Sequence, residues 1–391
     1  MDNRPLVIFA ALFVTTQAVS IASPPFSSCD TKAYPPDPKD AVPVYTVNLD
    51  LPPKERWVEL VSAKKVEIAG LIDDVKNLTL TLLGEKLFNF IINNLDKVAA
   101  SLPHPYDEEV VGIASAADML VAEITLYNIF YEAFTFCTSI IMQDPDGNLY
   151  HGRNLDFGLF MGWDPKKHVW RVAELLKPLV VQLKWQKGGK TVYESINYAG
   201  YVGILTAVKQ GKFTFSFDER FKANGGFVGI LEWILFNDHN QKWVSFLTRE
   251  VMENAESYDE AKSLLSKTRL LAPVYFILGG AKPKEGSIIT RWRDEFRTVD
   301  LWSKESDSGS WYLVETNYDQ WTSPPFFDDR RTPAVHCLNA GGQKNASLEL
   351  IYNVLSTRPI LNKLTTYTSL MDVNHGMEAW LRSCGDPCWP W

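Results

Sequence analysis

Histidine and cysteine are scarce in this chain: 391 residues hold six of the first and five of the second. The histidines, His104, His151, His168, His239, His336 and His375, are scattered without the short spacings that ligate a metal. No HExxH helix, GxSxG elbow or Walker loop occurs. The expectation is therefore no metal and no cofactor. Positive charge is also in deficit: 39 Lys and Arg against 47 Asp and Glu give a formal net charge of -8 and a pI near 5.4. A nucleic-acid partner normally shows a basic stripe, which this balance lacks. In an acidic compartment the net charge would approach zero, weakening repulsion from anionic lipid surfaces. Internal repeats and low-complexity linkers are missing too.

Long apolar runs are equally rare. Behind Arg4, residues 6–14 are apolar and lead to the small residues Ala18, Ser20 and Ala22. This run is too short to span a bilayer and reads as a secretory signal peptide over residues 1–22, set aside from the fold. No later stretch is long and apolar enough to span, so a soluble or lumenal protein is expected. Two sequons, Asn77-Leu78-Thr79 and Asn345-Ala346-Ser347, suit that route as glycosylation sites. With 46% hydrophobic residues there is material for one large domain or two tightly joined ones.

The five cysteines are Cys29, Cys137, Cys337, Cys384 and Cys388. In a secreted protein most thiols pair, and an odd number leaves at least one free or intermolecular. With one set aside, the other four can pair in three ways. Cys384 and Cys388, in CGDPC, are close enough for a small loop closed by Pro387, and no accompanying CxxC or histidine cluster supports a metal there. Cys137 sits beside the most polar motif in the chain, in YEAFTFCTSIIMQDPDGNLYHGRNLDFG. It is the cysteine to leave free, against the bland alternative of a buried inert thiol or disulfide partner.

Apolar residues at three and four spacing predict helices over residues 57–134, in EKLFNFIINNLDKVAASL and SAADMLVAEITLYNIFYEAF, with Pro103 and Pro105 breaking between them. From Cys137 the pattern becomes strands. CTSIIMQ and LYHGRNLDF flank the hairpin turn Asp144-Pro145-Asp146-Gly147; LVVQLKWQ and TVYESINY flank Lys187-Gly188-Gly189-Lys190. KFTFSFD places Phe213, Phe215 and Phe217 on one face. Helical patterns return in GGFVGILEWILF, KWVSFLTREVMEN and SYDEAKSLLSKT, then strands in PVYFILGG, GSIITRW and SWYLVETN. The grouping predicts layered α+β packing with largely antiparallel sheets.

A cysteine at the first position of a strand, behind a removable helical segment, suits one chemistry well. If the bond between Phe136 and Cys137 were cut, Cys137 would carry a thiol and a free α-amine on one residue. The amine could serve as base for its own side chain. That is an N-terminal nucleophile design. A papain-like pairing of Cys137 with a distant histidine is weaker, because no papain signature surrounds it.

CTSI and HGRNLDFG, followed by DERF, ETNYDQW and DDRRTP, resemble the cholylglycine hydrolase group of N-terminal nucleophile hydrolases across almost the whole mature chain. Within it, GLFMGWD, LKPL, NGGFVGILEWIL and the cysteine-bearing tail resemble the ceramidase branch more than the N-acylethanolamine amidases. The resemblance implies an αββα sandwich, and self-cleavage into a mainly helical α subunit, residues 23–136, and a catalytic β subunit, residues 137–391. It implies a ceramide substrate cleaved to a sphingoid base and a fatty acid in the lysosome lumen, with secretion as a second destination. Partners implied are a saposin-type lipid activator and peripheral contact with membrane lipid. It also implies a Cys29–Cys337 disulfide tethering the two subunits and a Cys384–Cys388 loop.

Carried over residue by residue, Cys137 matches the nucleophile and cleavage point. Arg153 and Asp156 match the pair beside it, Asp156 orienting the amine and Arg153 favouring thiolate. Their spacing of three suits a strand end or tight turn that aims both at one point. Asn317 matches an oxyanion-hole asparagine and Arg330 an active-site arginine. Glu219 falls on a matched position that a structural salt bridge explains as well, and Asn154 shapes the loop. Without the resemblance, Arg153 and Asp156 would read as a surface ion pair and TNYD as a turn. The apolar segments at residues 88–92 and 227–236 are candidates for lipid contact, although such periodicity normally packs a core. A non-catalytic lipid carrier is the reading from a different class, disfavoured because Cys137, Arg153, Asp156, Asn317 and Arg330 are all present.

Overall fold

The structure, a computed structural model, describes residues 26–130, 135–158, 162–220, 233, 241–303 and 311–389. After strand β1 (Val44–Asn48) come four helices: α1 (Val58–Leu83), α2 (Glu85–Ser101), α3 (Tyr106–Ala117) and α4 (Val121–Phe130). Pro103 and Pro105 separate α2 from α3 as expected. The pattern over residues 115–134 is not one helix. Asp118, at φ 60°, closes α3 in the left-handed region, its N–H reaching the carbonyls of Ala114 and Ser115.

The remaining elements follow in chain order. They are β2 (Thr135–Gln143), β3 (Leu149–Phe157), a small ribbon β4 (Trp163–Asp164) and β5 (Val169–Trp170), α5 (Arg171–Leu176), β6 (Val180–Lys187), β7 (Lys190–Tyr198), β8 (Thr206–Lys209) and β9 (Phe213–Glu219). Then come α6 (Val244–Asn254), α7 (Tyr258–Lys267), β10 (Val274–Gly280), β11 (Gly286–Arg291), β12 (Phe296–Asp300), β13 (Tyr312–Glu315), α8 (Arg331–Gly341), α9 (Leu348–Ser356), β14 (Thr365–Asp372) and β15 (Gly376–Leu381). The hairpins form where expected. Gly147, at φ +94°, takes the backbone conformation that the β2–β3 turn requires. The helix expected in GGFVGILEWILF lies, apart from Trp233, outside the described residues, as do the side chains of residues 88–92.

Eight strands form one sheet in the order β1-β6-β7-β8-β9-β10-β11-β12, and five form another in the order β13-β2-β3-β14-β15. Every pairing is antiparallel except β1 with β6. Thus a strand from before Cys137 completes an edge of a sheet built from residues after it. The sheets face each other through β2 on β9 and β14 on β8, with α8 and α9 outside the five-stranded sheet and α6 and α7 against the eight-stranded one. Gly152 allows the close approach of α9: a Cβ there would lie 2.0 Å from Ile351 Cγ2. This is the αββα sandwich of the N-terminal nucleophile hydrolases.

The amino-terminal helices dock on the outer face of the eight-stranded sheet and on α6. Trp57 meets Trp185 edge-on at 5.6 Å, and Tyr106 stacks on Phe246 at 4.3 Å. At the centre of this contact Glu109 and Arg249, both fully buried, form a two-pronged ion pair at 2.6 and 2.8 Å. Arg56 and Trp57 each donate to the same carboxylate at 2.8 Å. The structure pairs Cys29 with Cys337 and Cys384 with Cys388, leaving Cys137 as the free thiol.

Candidate active site

The site forms where β2, β3 and β9 meet between the sheets. Cys137 is the third residue of β2 rather than the first, because the ladder with β3 extends back to Thr135. Phe136 and Cys137 pair with Asp156 and Leu155, so the bond between them lies inside a paired strand. Alternation puts Cys137, Ser139 and Ile141 on one face with their partners Leu155, Arg153 and His151. That face meets β9, where the alternates to the three phenylalanines, Thr214, Ser216 and Asp218, point back. His151 reaches Thr214 Oγ1 and Ser216 Oγ, each at 3.0 Å, and the Ser139 hydroxyl donates to Asp218 at 2.9 Å. The phenylalanine stripe is as expected, and its polar counterface is the floor of the site.

Each part of Cys137 has its own partner. Its sulfur accepts from Arg153 Nη2 at 2.8 Å. Its N–H donates to Asn317 Oδ1 at 2.9 Å, and its carbonyl accepts from Arg330 Nη1. Arg330 Nη2 also donates to Asn317 Oδ1 at 2.8 Å, while Asp328 grips the guanidinium at 2.7 and 2.9 Å. The Asn317 amide donates to the Glu219 backbone carbonyl at 2.8 Å. Glu219 thus contributes main chain here, and an oxyanion role for Asn317 falls to the second N–H of the same amide.

Arg153 and Asp156 do not aim at one point. They lie three positions apart on a regular strand, which directs them to opposite faces. Arg153 also donates to the carbonyls of Leu205 and Phe217 and, at 2.7 Å, to Thr206. Asp156 meets Arg330 at 3.5 Å and Asn362 at 2.7 Å. Arg330 therefore links Asp156 to the Cys137 backbone, and its charge lies 5.8 Å from the Phe136 ring centre. Asn154 is structural: its amide donates to the carbonyls of Leu355 and Ile360, and Thr368 donates to it at 2.6 Å.

Burial dominates the site's charges. It pushes the Cys137 thiol up, opposed by Arg153 and reinforced by Asp218, so the unbroken chain keeps it protonated. Burial raises Asp156 to about 6 despite Arg330, and Asp218 to about 7 despite Arg153. Glu315 is also pushed well up by burial, and His151 down to about 3. Positive charge in the site thus comes from Arg153 and Arg330 rather than a histidine.

Asp218, Asp328, Glu315 and Asn362 escaped sequence reasoning. Asp218 was legible in principle, as the third polar alternate in KFTFSFD. Asp328 lies two residues from Arg330 in the same motif. Asn362 gave no local signal, since it meets Asp156 across 206 positions.

A free cysteine gripped by two arginines and an asparagine, at the heart of an αββα sandwich, defines a linear-amide hydrolase of the N-terminal nucleophile class. Family comparison agrees. Residues 137–334 match the linear amide C-N hydrolases, choloylglycine hydrolase family, and the match starts at Cys137 itself. Residues 40–102 match the beta subunit of N-acylethanolamine-hydrolyzing acid amidase. Human acid ceramidase is 47% identical over 99% of this chain and 98% of its own length. The mouse acid ceramidase is 47% identical over 98% of both. A solved structure of the Caenorhabditis elegans N-acylethanolamine-hydrolyzing acid amidase ortholog is 30% identical, with TM-score 0.52, covering 63% of this chain and all of that one. The chain belongs to the acid ceramidase family of linear amide C-N hydrolases.

Proposed function

We propose that this protein hydrolyses the amide bond of ceramide, releasing a sphingoid base and a free fatty acid, after cutting itself before Cys137. The observation that carries the substrate is the 47% identity to human acid ceramidase across nearly the full length of both chains. In self-cleavage the Cys137 sulfur adds to the Phe136 carbonyl carbon and the thiol proton passes to the Cys137 nitrogen. The C–N bond breaks, leaving a Phe136 thioester and a free amine. Water then hydrolyses the thioester, returning the thiol and a Phe136 carboxylate. The hold on the Cys137 N–H by Asn317, itself fixed by Arg330, suits this attack by keeping the scissile bond in place. The products are the α subunit, residues 23–136, and the β subunit, residues 137–391, tethered by the Cys29–Cys337 bond.

The same thiol then attacks ceramide, with the new amine as its base and the Asn317 amide facing the oxyanion. A free α-amine has a pKa of about 7.7–8.0. Arg330 beside Cys137 disfavours an ammonium there, while the Asn317 oxygen that takes the Cys137 N–H favours one. The buried thiol suits a precursor closed to substrate until cleavage. Phe326 and Phe327, exposed on the segment between Asn317 and Arg330, suit an approach to lipid, either on a lysosomal membrane or from a saposin-type activator. Asn77 and Asn345 are exposed, as glycosylation requires.

N-acylethanolamine hydrolysis is a second reading, favoured by the worm amidase structure and the match over residues 40–102. Parallel assays of cleaved enzyme on ceramide and on an N-acylethanolamine decide between them. Faster turnover of ceramide is expected; a preference for the ethanolamide would replace the first reading with the second.

A further inference from the structure

Asp218 lies in the site yet has no part in the steps above. Its side chain is fully buried, with one oxygen taking the Ser139 hydroxyl at 2.9 Å. Its other oxygen has no hydrogen bond of good geometry among the described residues, and the carboxyl interacts with the Cys137 thiol, which favours its ionised form. Asp218 is also 3.7 Å from Arg153 Nη2, the same nitrogen that donates to Cys137 Sγ. One guanidinium therefore serves two acceptors, a carboxyl and a sulfur.

We propose that Asp218 is a positioning residue for self-cleavage: ionised, it draws on Arg153 and sets negative charge against the Cys137 sulfur; protonated, it leaves Arg153 to the sulfur. This inference rests on the self-cleavage reading and deepens it. Attack builds negative charge on sulfur and then on the Phe136 carbonyl oxygen, and an adjacent carboxylate opposes both. Acidification adds one proton to Asp218 and removes that opposition. The covalent step is unchanged: the thiol proton still goes to the Cys137 nitrogen, and Asp218 neither gains nor loses a proton during it.

The groups around Asp218 are consistent with this role. Ser139 and Cys137 face it from β2, and Arg153 from β3. Tyr367 acts on it from β14 and Glu315 from β13, and Arg330 from the segment before α8. Burial itself pushes Glu315 well up, favouring its neutral form. The two arginines favour the carboxylate, but burial outweighs them and brings Asp218 to about 7, between the pH of the early secretory pathway and that of an acidic compartment. Removing the Ser139 hydroxyl, which stabilises the carboxylate, moves that titration upward.

The test is the rate of cutting between Phe136 and Cys137 in purified full-length precursor from pH 4.5 to 8, with C137A as the blank. In the native protein the rate is expected to rise as pH falls through about 7, by about tenfold per unit on the alkaline side. D218N, a permanently neutral side chain of the same shape, is expected to lose that dependence between pH 6.5 and 8, cutting at least severalfold faster than the native precursor at pH 8. S139A, which keeps the carboxyl, shifts the midpoint to higher pH and serves if D218N does not fold. A D218N profile that parallels the native one overturns the proposal, as does an S139A midpoint that stays put or falls. A native precursor with no Cys137-dependent cut at any pH overturns the self-cleavage reading, and this inference with it.

Discussion

Two equally buried ionic clusters in this molecule resolve the cost of burying carboxylates in opposite ways. Glu109, between α3 and α6, receives hydrogen bonds from Arg249, Arg56 and Trp57, and its pKa is held below the usual value although burial opposes this. Asp156 and Asp218, flanking Cys137, have fewer donors of good geometry and are pushed up to about 6 and 7. Burial alone therefore decides neither sign. The number and aim of the donors do, and the under-supplied carboxyls are the ones beside the nucleophile.

The largest break in this comparison comes at the supplied cluster. E109A leaves the fully buried Arg249 to the partly exposed Glu253, which it meets at 2.7 Å, and is expected to cost up to about 3–5 kcal/mol, read from chemical denaturation. The double variant E109L/R249M is expected to recover most of that loss, since a matched apolar pair of similar volume removes the under-compensated buried charge. A double variant no more stable than E109A would mean that the pair holds α3 to α6 by something other than charge compensation.

The under-supplied cluster gives a pH signature of the opposite sign. Asp156 and Asp218 have folded pKa values above their unfolded ones, so the stability they contribute is complete below about 3.9 and is lost as pH rises through about 6 and 7. Each contributes up to about 1.4 kcal/mol per pH unit within its window. Glu109, with a lowered pKa, keeps its contribution above the ordinary carboxylate range and loses it as pH falls below. The melting temperature of the C137A precursor is therefore expected to fall between pH 5 and 8, and D218N should flatten that fall. A melting temperature that climbs steadily to pH 8 would contradict the assignment.

A smaller effect separates covalent from non-covalent tethering. Once cut, the α segment remains joined through the Cys29–Cys337 bond, the β1–β6 ladder and the Glu109–Arg249 pair. Gentle reduction of cut protein is expected to leave the two pieces co-eluting on size exclusion at neutral pH. Reduction of cut E109A should release the smaller piece.

Much of this was legible in the sequence where periodicity is strong. The hairpins around Asp144 and Gly188, the phenylalanine stripe of β9 and the helices α6 and α7 follow from alternation or from three and four spacing. The break at Asp118 did not, because a single left-handed residue leaves the apolar period almost intact. Helix α8 carries a weak pattern, and β14, buried on both faces, shows no polar alternation, whereas α9 is strongly amphipathic and was legible in principle. Cys137, Arg153, Asn317 and Arg330 were found through motif resemblance, and the structure gathers them around one peptide bond. The facing of Arg153 and Asp156 was misjudged from spacing alone. A regular strand, unlike a tight turn, separates residues three apart.

The central claim is that Cys137 makes its own active site, and amino-terminal sequencing tests it most directly. Purified precursor is held at acidic pH beside C137A, and the fragments are sequenced and assayed on ceramide. The account predicts a new terminus at Cys137 that appears together with ceramide hydrolysis, and neither in C137A. An intact chain that still hydrolyses ceramide would contradict it, because the thiol would then be working without a free amine.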